Sequence, residues 1–309
     1  MQRFTVACAQ FAVTPLAVSE NIEKALAWTE RAARETGARL IVLPESVTTG
    51  FTPGVTPDGT PGCPVEELWA QVDKLPGPQT ASVAAAARVL DLYLVFPTYE
   101  RGPTPDIVYN SVALFGPEGL LGVYRKTHLF PTERKAAGGW STPGADPVVV
   151  ETPLASIGLT LCYDGDFPEL YRCEAVHGAE VIVRPAALLR SFEIWELTNK
   201  ARAYDNHVYI AACNAIGPDA GGHYYFGHSM IVSPIAQTLA LARGTEDIIA
   251  AELDPEPLKR ISYGSTSPMI FDHLEDRNLA AYGDILKPAC SRFEPARRVS
   301  NATIDNQRV

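Results

Sequence analysis

Three side chains that together could run nucleophilic chemistry stand in equivalent places along the chain. Cys162 follows the apolar run IGLTL at 157–161 and opens the polar turn YDGD. Glu45 follows LIVLP at 40–44, and Lys126 follows GVYR at 122–125. Each position is the carboxy-terminal end of an expected strand, where α/β proteins gather their sites. A free thiol has a pKa of roughly 8.5, so little of it is thiolate at neutral pH. A carboxylate can take the thiol proton, and an ammonium can steady both the sulfur anion and an oxyanion on an attacked carbon. Taken singly, such a cysteine is a small core residue, such a glutamate a cap, and such a lysine a solvated neighbour of Arg125. Their joint occurrence at strand ends is what points to hydrolysis.

The elements that must position them alternate. FTVACAQF at 4–11 reads as a strand and 19–36 as an amphipathic helix with an early cap. RLIVLPE at 39–45 is a buried strand ended by proline, and a helix at 79–90 leads to the strand LYLVFPTY. NSVALFG and LLGVYRK, joined by Pro117, Glu118 and Gly119, form a hairpin. The order then repeats, with a strand to Cys162, a helix at 169–177, the strand AEVIVRP, a helix at 194–206 and the strand VYIAACN. GHSMIVSP and TLALARG make a second hairpin. Strands alternating with helices predict an α/β fold with crossovers, and the hairpins make its sheets mixed. One domain over 1–285 is expected, followed by an irregular polar arm at 286–309. The proline- and glycine-rich stretch at 52–64 reads as a loop over the neighbourhood of Glu45.

Composition narrows the partners. The formal net charge is −10 and no run of lysine or arginine occurs, which argues against nucleic acid and anionic membranes. No apolar stretch approaches the roughly 18 residues of a membrane span, and the first residues do not read as a signal peptide. A cytoplasmic protein with reduced thiols is expected, because the six cysteines form no CxxC pair. With no HExxH spacing and no glycine-rich phosphate loop, neither a metal nor a cofactor is expected.

The segments LPES, YRKTHL and CYDGDFPEL resemble the signatures of the nitrilase superfamily, the carbon–nitrogen hydrolases. The similarity runs from VACAQF through ARAYDNHVYIAACN and YFGHSMIVSP to about Leu258. It implies an αββα sandwich that pairs as αββααββα in a homodimer or larger homo-oligomer. It also implies that Cys162 is the nucleophile, Glu45 the general base and Lys126 the oxyanion stabiliser. Glu133 in KTHLFPTERKAAGGW matches the family's second glutamate, and the backbone N–H of Tyr163 would complete the oxyanion hole. CYDGDFPE, EVIVR and YFGHSMI are most similar to the amidase branches, which implies a small primary amide as substrate. N-carbamoyl compounds and nitriles are the alternatives, and a non-catalytic protein of the same fold a third. Arg184, at the end of the next strand, is the one charged clamp expected in the cleft, and Asp164 and Trp140 are further candidate substrate contacts.

Overall fold

Side chains on the first strand, β1 (Phe4–Gln10), alternate between two separate cores. Val6 and Cys8 face a second sheet, while Ala7 and Ala9 face helices. This is the period-two geometry of a strand buried on both faces. The computed structural model describes residues 1–52, 63–135, 139–219, 223–256 and 271–289.

After β1 come α1 (Val18–Thr36), β2 (Leu40–Val42), α2 (Val65–Gln71), α3 (Pro78–Val89) and β3 (Tyr93–Arg101). The antiparallel strands β4 (Val108–Gly116) and β5 (Gly119–Arg125) follow. The second half holds β6 (Val149–Glu151), β7 (Ser156–Leu159), α4 (Pro168–Val176), β8 (Val181–Ala186), α5 (Phe192–Asn206) and β9 (Tyr209–Asn214). A small ribbon, β10 (Ile216–Pro218) with β11 (Tyr224–Phe226), precedes β12 (Met230–Val232), β13 (Thr238–Leu241) and β14 (Asp247–Leu253).

Two six-stranded mixed sheets result, ordered β14-β1-β2-β3-β4-β5 and β13-β12-β9-β8-β7-β6. In each, three central strands run parallel through helical crossovers and the outer ones are antiparallel. Ala25 and Ala32 of α1 and Val83 and Ala87 of α3 cover the outer face of the first sheet. Leu170 of α4 and Trp195 and Ala203 of α5 join the larger core that also fills the space between the sheets. The layers are therefore α, β, β, α, as expected.

Local details depart from expectation in three places. Helix α1 starts at Val18 without a side-chain cap; Asn21 instead ties the preceding turn, accepting from Thr14 N and donating to Thr14 O. The strand leading to Cys162 ends early, at Leu159. Strand β14, which local pattern did not reveal, pairs with β1 from Phe4↔Leu253 to Gln10↔Asp247. The loop expected at 52–64 lies outside the described residues except at its ends, as does the arm beyond 289. Among the described residues no helix is long and apolar enough to cross a membrane.

The segment 271–289 is held to the end of α5 by a titratable contact. His207, left-handed at φ 54°, accepts the His273 N–H at Nε2 (3.0 Å) and stacks on the His273 ring. Arg172 donates to the His273 carbonyl. Burial, then the neighbouring His273, lowers the His207 pKa to about 4, with Asp272 opposing and Arg172 reinforcing. A histidine held neutral in the fold lets the unfolded chain bind more protons, so stability falls as pH drops from about 6.5 towards 4. Hydrogen exchange should therefore show residues 271–289 losing protection across that window. Unchanged protection would remove His207 as the acid-sensitive contact.

Candidate active site

Glu45 sits three residues past β2, with its carboxylate fully enclosed. Oε1 accepts from Lys126 Nζ (3.0 Å) and Asn110 Nδ2 (2.8 Å), and Oε2 accepts from the Ala187 N–H (2.7 Å). A carboxylate has about four acceptor positions, so these three donors leave one, on Oε2. Lys126 follows β5 directly, its N–H donating to the Asn110 carbonyl across the hairpin (2.8 Å). Its ammonium also donates to Glu133 Oε2 (2.7 Å), which leaves one of its three N–H groups uncommitted.

Glu133 lies in a 3-10 turn, Pro131–Glu133, shaped by Pro131 at its first position. Besides Lys126 it accepts from the Phe130 N–H (2.8 Å) and from Asn110 Nδ2 (2.8 Å). Asn110 thus clamps both carboxylates from β4. Sequence reading missed it, although the hairpin register that sets Ser111 opposite Arg125 brings it beside Lys126.

Cys162 opens the 3-10 turn Cys162–Asp166 with a left-handed backbone, φ 48°. A non-glycine residue there is strained, a feature that clusters at functional sites where the surroundings hold it. The turn lifts the sulfur away from the sheet edge to a small cavity. Arg184 supplies the restraint from behind: Nε donates to the Cys162 carbonyl (2.9 Å), and Nη1 to Thr198 Oγ1 (2.9 Å) and Asn199 Oδ1 (2.8 Å). Its guanidinium lies over the Trp195 ring and under Gly165, where an added Cβ would sit 1.9 Å from Cζ. Only glycine lets the turn pass that close.

The electrostatics favour a protonated thiol at rest. Burial and then the Glu45 carboxylate push the Cys162 pKa well above the ordinary thiol range, while Lys126 and Arg184 pull the other way. Burial, reinforced by Glu45 and opposed by Lys126, raises the Glu133 pKa as well. Burial would discharge Lys126, but Glu133, Glu45 and Cys162 more than offset it and hold the ammonium charged. A thiolate forming here is desolvated and faces the Glu45 carboxylate, which Lys126 and Arg184 offset only in part, so its proton needs a nearby acceptor rather than loss to solvent.

The structure thus gathers Glu45, Lys126, Glu133 and Cys162, with Tyr163 beside them, and sets three other expected residues apart. Arg184 is buried and committed to the Cys162 turn, so it is not a clamp facing the cleft. Asp164 is likewise fully buried: its carboxylate accepts from the Leu161 N–H (2.9 Å), Tyr124 Oη (2.7 Å) and the His128 N–H (3.1 Å). It does not line the cavity beside Cys162, but folds the turn back on itself. Trp140 packs edge-on against Tyr99 and donates to the Thr52 carbonyl (2.9 Å), within a satellite core. The cavity beside Cys162, about 20 Å3, is lined instead by Phe51, Phe130, Tyr163, Leu188, Leu189 and Arg190, with Ala187 between it and Glu45. Apart from Tyr163, which sits in the Cys162–Asp166 turn, those wall residues come from loops, where no periodic pattern marks them. Among the described residues no group of three His, Cys, Asp or Glu side chains could hold a metal ion.

An αββα sandwich with an enclosed carboxylate–ammonium–carboxylate set beside a thiol on a strained turn defines a class of hydrolases, and comparison with known proteins identifies it. Residues 5–263 match the carbon-nitrogen hydrolase family, and the chain belongs to that family, within the nitrilase superfamily. It is a carbon–nitrogen hydrolase. The omega-amidase NIT2 of Xenopus tropicalis is 33% identical over 272 residues, covering 84% of this chain and 92% of the relative. Saccharomyces cerevisiae Nit3, a member of branch 10 of the superfamily, has 29% identity and a TM-score of 0.72, covering 84% of this chain and 92% of its own. A carbon-nitrogen hydrolase from Helicobacter pylori G27 has 25% identity and a TM-score of 0.78, covering 93% and 99%.

Proposed function

We propose that the protein hydrolyses the C–N bond of a small primary amide to a carboxylate and ammonia through a thioester on Cys162. The observation that carries this reading is the placement of Lys126 Nζ between Glu45 (3.0 Å) and Glu133 (2.7 Å), with the Cys162 thiol in the field of the first pair. The thiol proton passes to the one open acceptor position on Glu45 Oε2 as sulfur attacks the amide carbon. The resulting oxyanion takes the uncommitted N–H of Lys126 and the backbone N–H of Tyr163. Collapse breaks the C–N bond, the proton moves from Glu45 to the leaving nitrogen, and ammonia departs. Water enters, loses a proton to Glu45, and attacks the thioester; the C–S bond breaks and the proton returns to sulfur. Glu133 and Asn110 hold Lys126 and Glu45 in register throughout.

Amides are favoured over nitriles because relatives across most of the chain's length are named omega-amidases. The same reading carries pairing of two copies as αββααββα, supported by the exposed apolar side chains Val176 on α4 and Leu197 and Tyr204 on α5. An ammonia-release screen across amides, nitriles and N-carbamoyl compounds, with intact-mass detection of the acyl adduct, tests the reaction. Turnover of amides with an adduct on Cys162 is the expected result. Carbon dioxide released alongside ammonia, from ureido compounds alone, would move the assignment to N-carbamoyl hydrolysis.

A further inference from the structure

The thiol and the carboxylate that serves it face different cavities. Cys162 opens on the one walled by Phe130, Tyr163 and Arg190, whereas Glu45 lines a second, with Val13, Ala215, Asp219 and Tyr225. Among the described residues Cys162 does not line the second cavity, nor Glu45 the first. Phe51 and Ala187 form the boundary common to both. The Ala187 N–H donates to Glu45 Oε2 (2.7 Å), which sets that oxygen where the two cavities meet. The second cavity measures about 10 Å3, at the lower limit of the roughly 10–15 Å3 that a single water needs.

A water also needs polar partners, and three polar side chains line this cavity: Glu45, Asp219 and Tyr225. Tyr225 stands on β11, 4% exposed, packed with Phe51, Ala187 and Ala215. Its Oη donates to Asp219 Oδ2 (2.9 Å), and the His223 N–H fixes the same carboxylate at Oδ1 (2.9 Å). Burial and then the Asp219 carboxylate push the Tyr225 pKa up, and Glu45 adds to the effect. The phenol therefore keeps its proton and spends it on Asp219, so its oxygen offers the cavity lone pairs. Glu45 Oε2 likewise has one acceptor position beyond the Ala187 N–H. A water between two acceptors gives one hydrogen to each and keeps its own lone pairs unengaged.

Resting on the thioester route above, we propose that the second cavity holds the water that hydrolyses the acyl-enzyme, bound between Glu45 Oε2 and Tyr225 Oη. During acylation the open position on Oε2 carries the thiol proton, and departing ammonia takes that proton away. The position is then free to accept from the water. As the water oxygen bonds to the acyl carbon across the Phe51–Ala187 boundary, its proton passes to Glu45. The C–S bond breaks and the proton returns to sulfur. Tyr225 thereby acts on the second half-reaction alone, and the acyl group does not compete with water for room.

The test acylates Cys162 with p-nitrophenyl acetate, enzyme in excess, and follows the acetyl adduct by quenched-flow intact mass. Its rise reads acylation and its decay reads hydrolysis. In Tyr225→Phe the adduct should form at the wild-type rate and decay about tenfold more slowly, the cost of one hydrogen bond to the attacking water. Ala215→Val, which puts a branched side chain into the cavity, should slow decay by at least as much. Added hydroxylamine, which attacks thioesters without help from a base, should clear the adduct equally fast from wild type and both variants. Formation and decay slowed alike in Tyr225→Phe, or decay unchanged in either variant, would overturn the proposal. So would hydroxylamine slowed in step with water, since the acyl group itself would then be misplaced. A wild-type enzyme that forms no adduct on Cys162 would instead remove the thioester reading, and the water site with it.

Discussion

Cys162→Ala is expected to lower ammonia release from the best amide by about 10⁴-fold or more, with no acyl adduct by intact mass. Alanine keeps a Cβ, so it bears the same backbone strain at φ 48° as cysteine does, and the fold should persist. Only the sulfur is lost from a side chain that is 7% exposed, a volume change worth about 1 kcal/mol. Cys162→Ser should be almost as inactive, because a hydroxyl gives up its proton far less readily than a thiol to the same carboxylate. An alanine variant that retained wild-type turnover with normal folding would end the thioester reading.

The second large effect separates two things that Glu45 does. Its carboxylate accepts three hydrogen bonds and leaves one position for the thiol proton. Glu45→Gln keeps the shape, removes the proton acceptor, and turns an NH2 towards groups that are themselves donors. Loss of a positioned base costs about 10²–10⁴ in rate, and the clash of donors adds to it. At the same time the carboxylate that raises the Cys162 pKa is gone, whereas Lys126 and Arg184 still lower it. The thiolate should therefore appear at lower pH in Glu45→Gln than in the wild type, followed by its ultraviolet absorbance. A slower enzyme with a more acidic thiol is the expected combination. A thiol titrating higher in the variant would mean that Glu45 stabilises the thiolate, and the proton-transfer role would have to be given up.

Much of the fold is legible in the chain because it rests on local regularities. The helices expected at 79–90, 169–177 and 194–206 occur at Pro78–Val89, Pro168–Val176 and Phe192–Asn206. Their ends carry local signals: Pro78 and Pro168 stand at first helical positions, and Ser191 accepts from the Ile194 N–H. The hairpin across 117–119 is equally plain. Strand β14 is different, since nothing near Asp247 says that its partner is β1, more than two hundred residues away.

For the site, the division is similar but sharper. Order along the chain placed Glu45, Lys126 and Cys162 at the ends of expected strands and residue type told what each could do, while Glu133 came from resemblance to the family. Neither told where a polar side chain would spend its hydrogen bonds. Arg184 and Asp164 follow or end strands just as persuasively, yet one supports the Cys162 carbonyl from below and the other closes the turn on Leu161. Asn110 and Arg190 looked like ordinary strand and loop residues until the hairpin register and the β8–α5 loop put them against the carboxylates and the cavity.

What the amino-acid order determined alone was the repertoire: mixed α/β elements, their sequence, and a thiol, an ammonium and carboxylates fit for acyl transfer. Tertiary structure decided direction and company, namely which charges meet, which are buried as supports, and which one is left facing an incoming molecule. The physical reason is range. Periodicity and turn chemistry act over a few residues, whereas hydrogen-bond partners and burial depend on contacts between segments that only the packed sheets bring together.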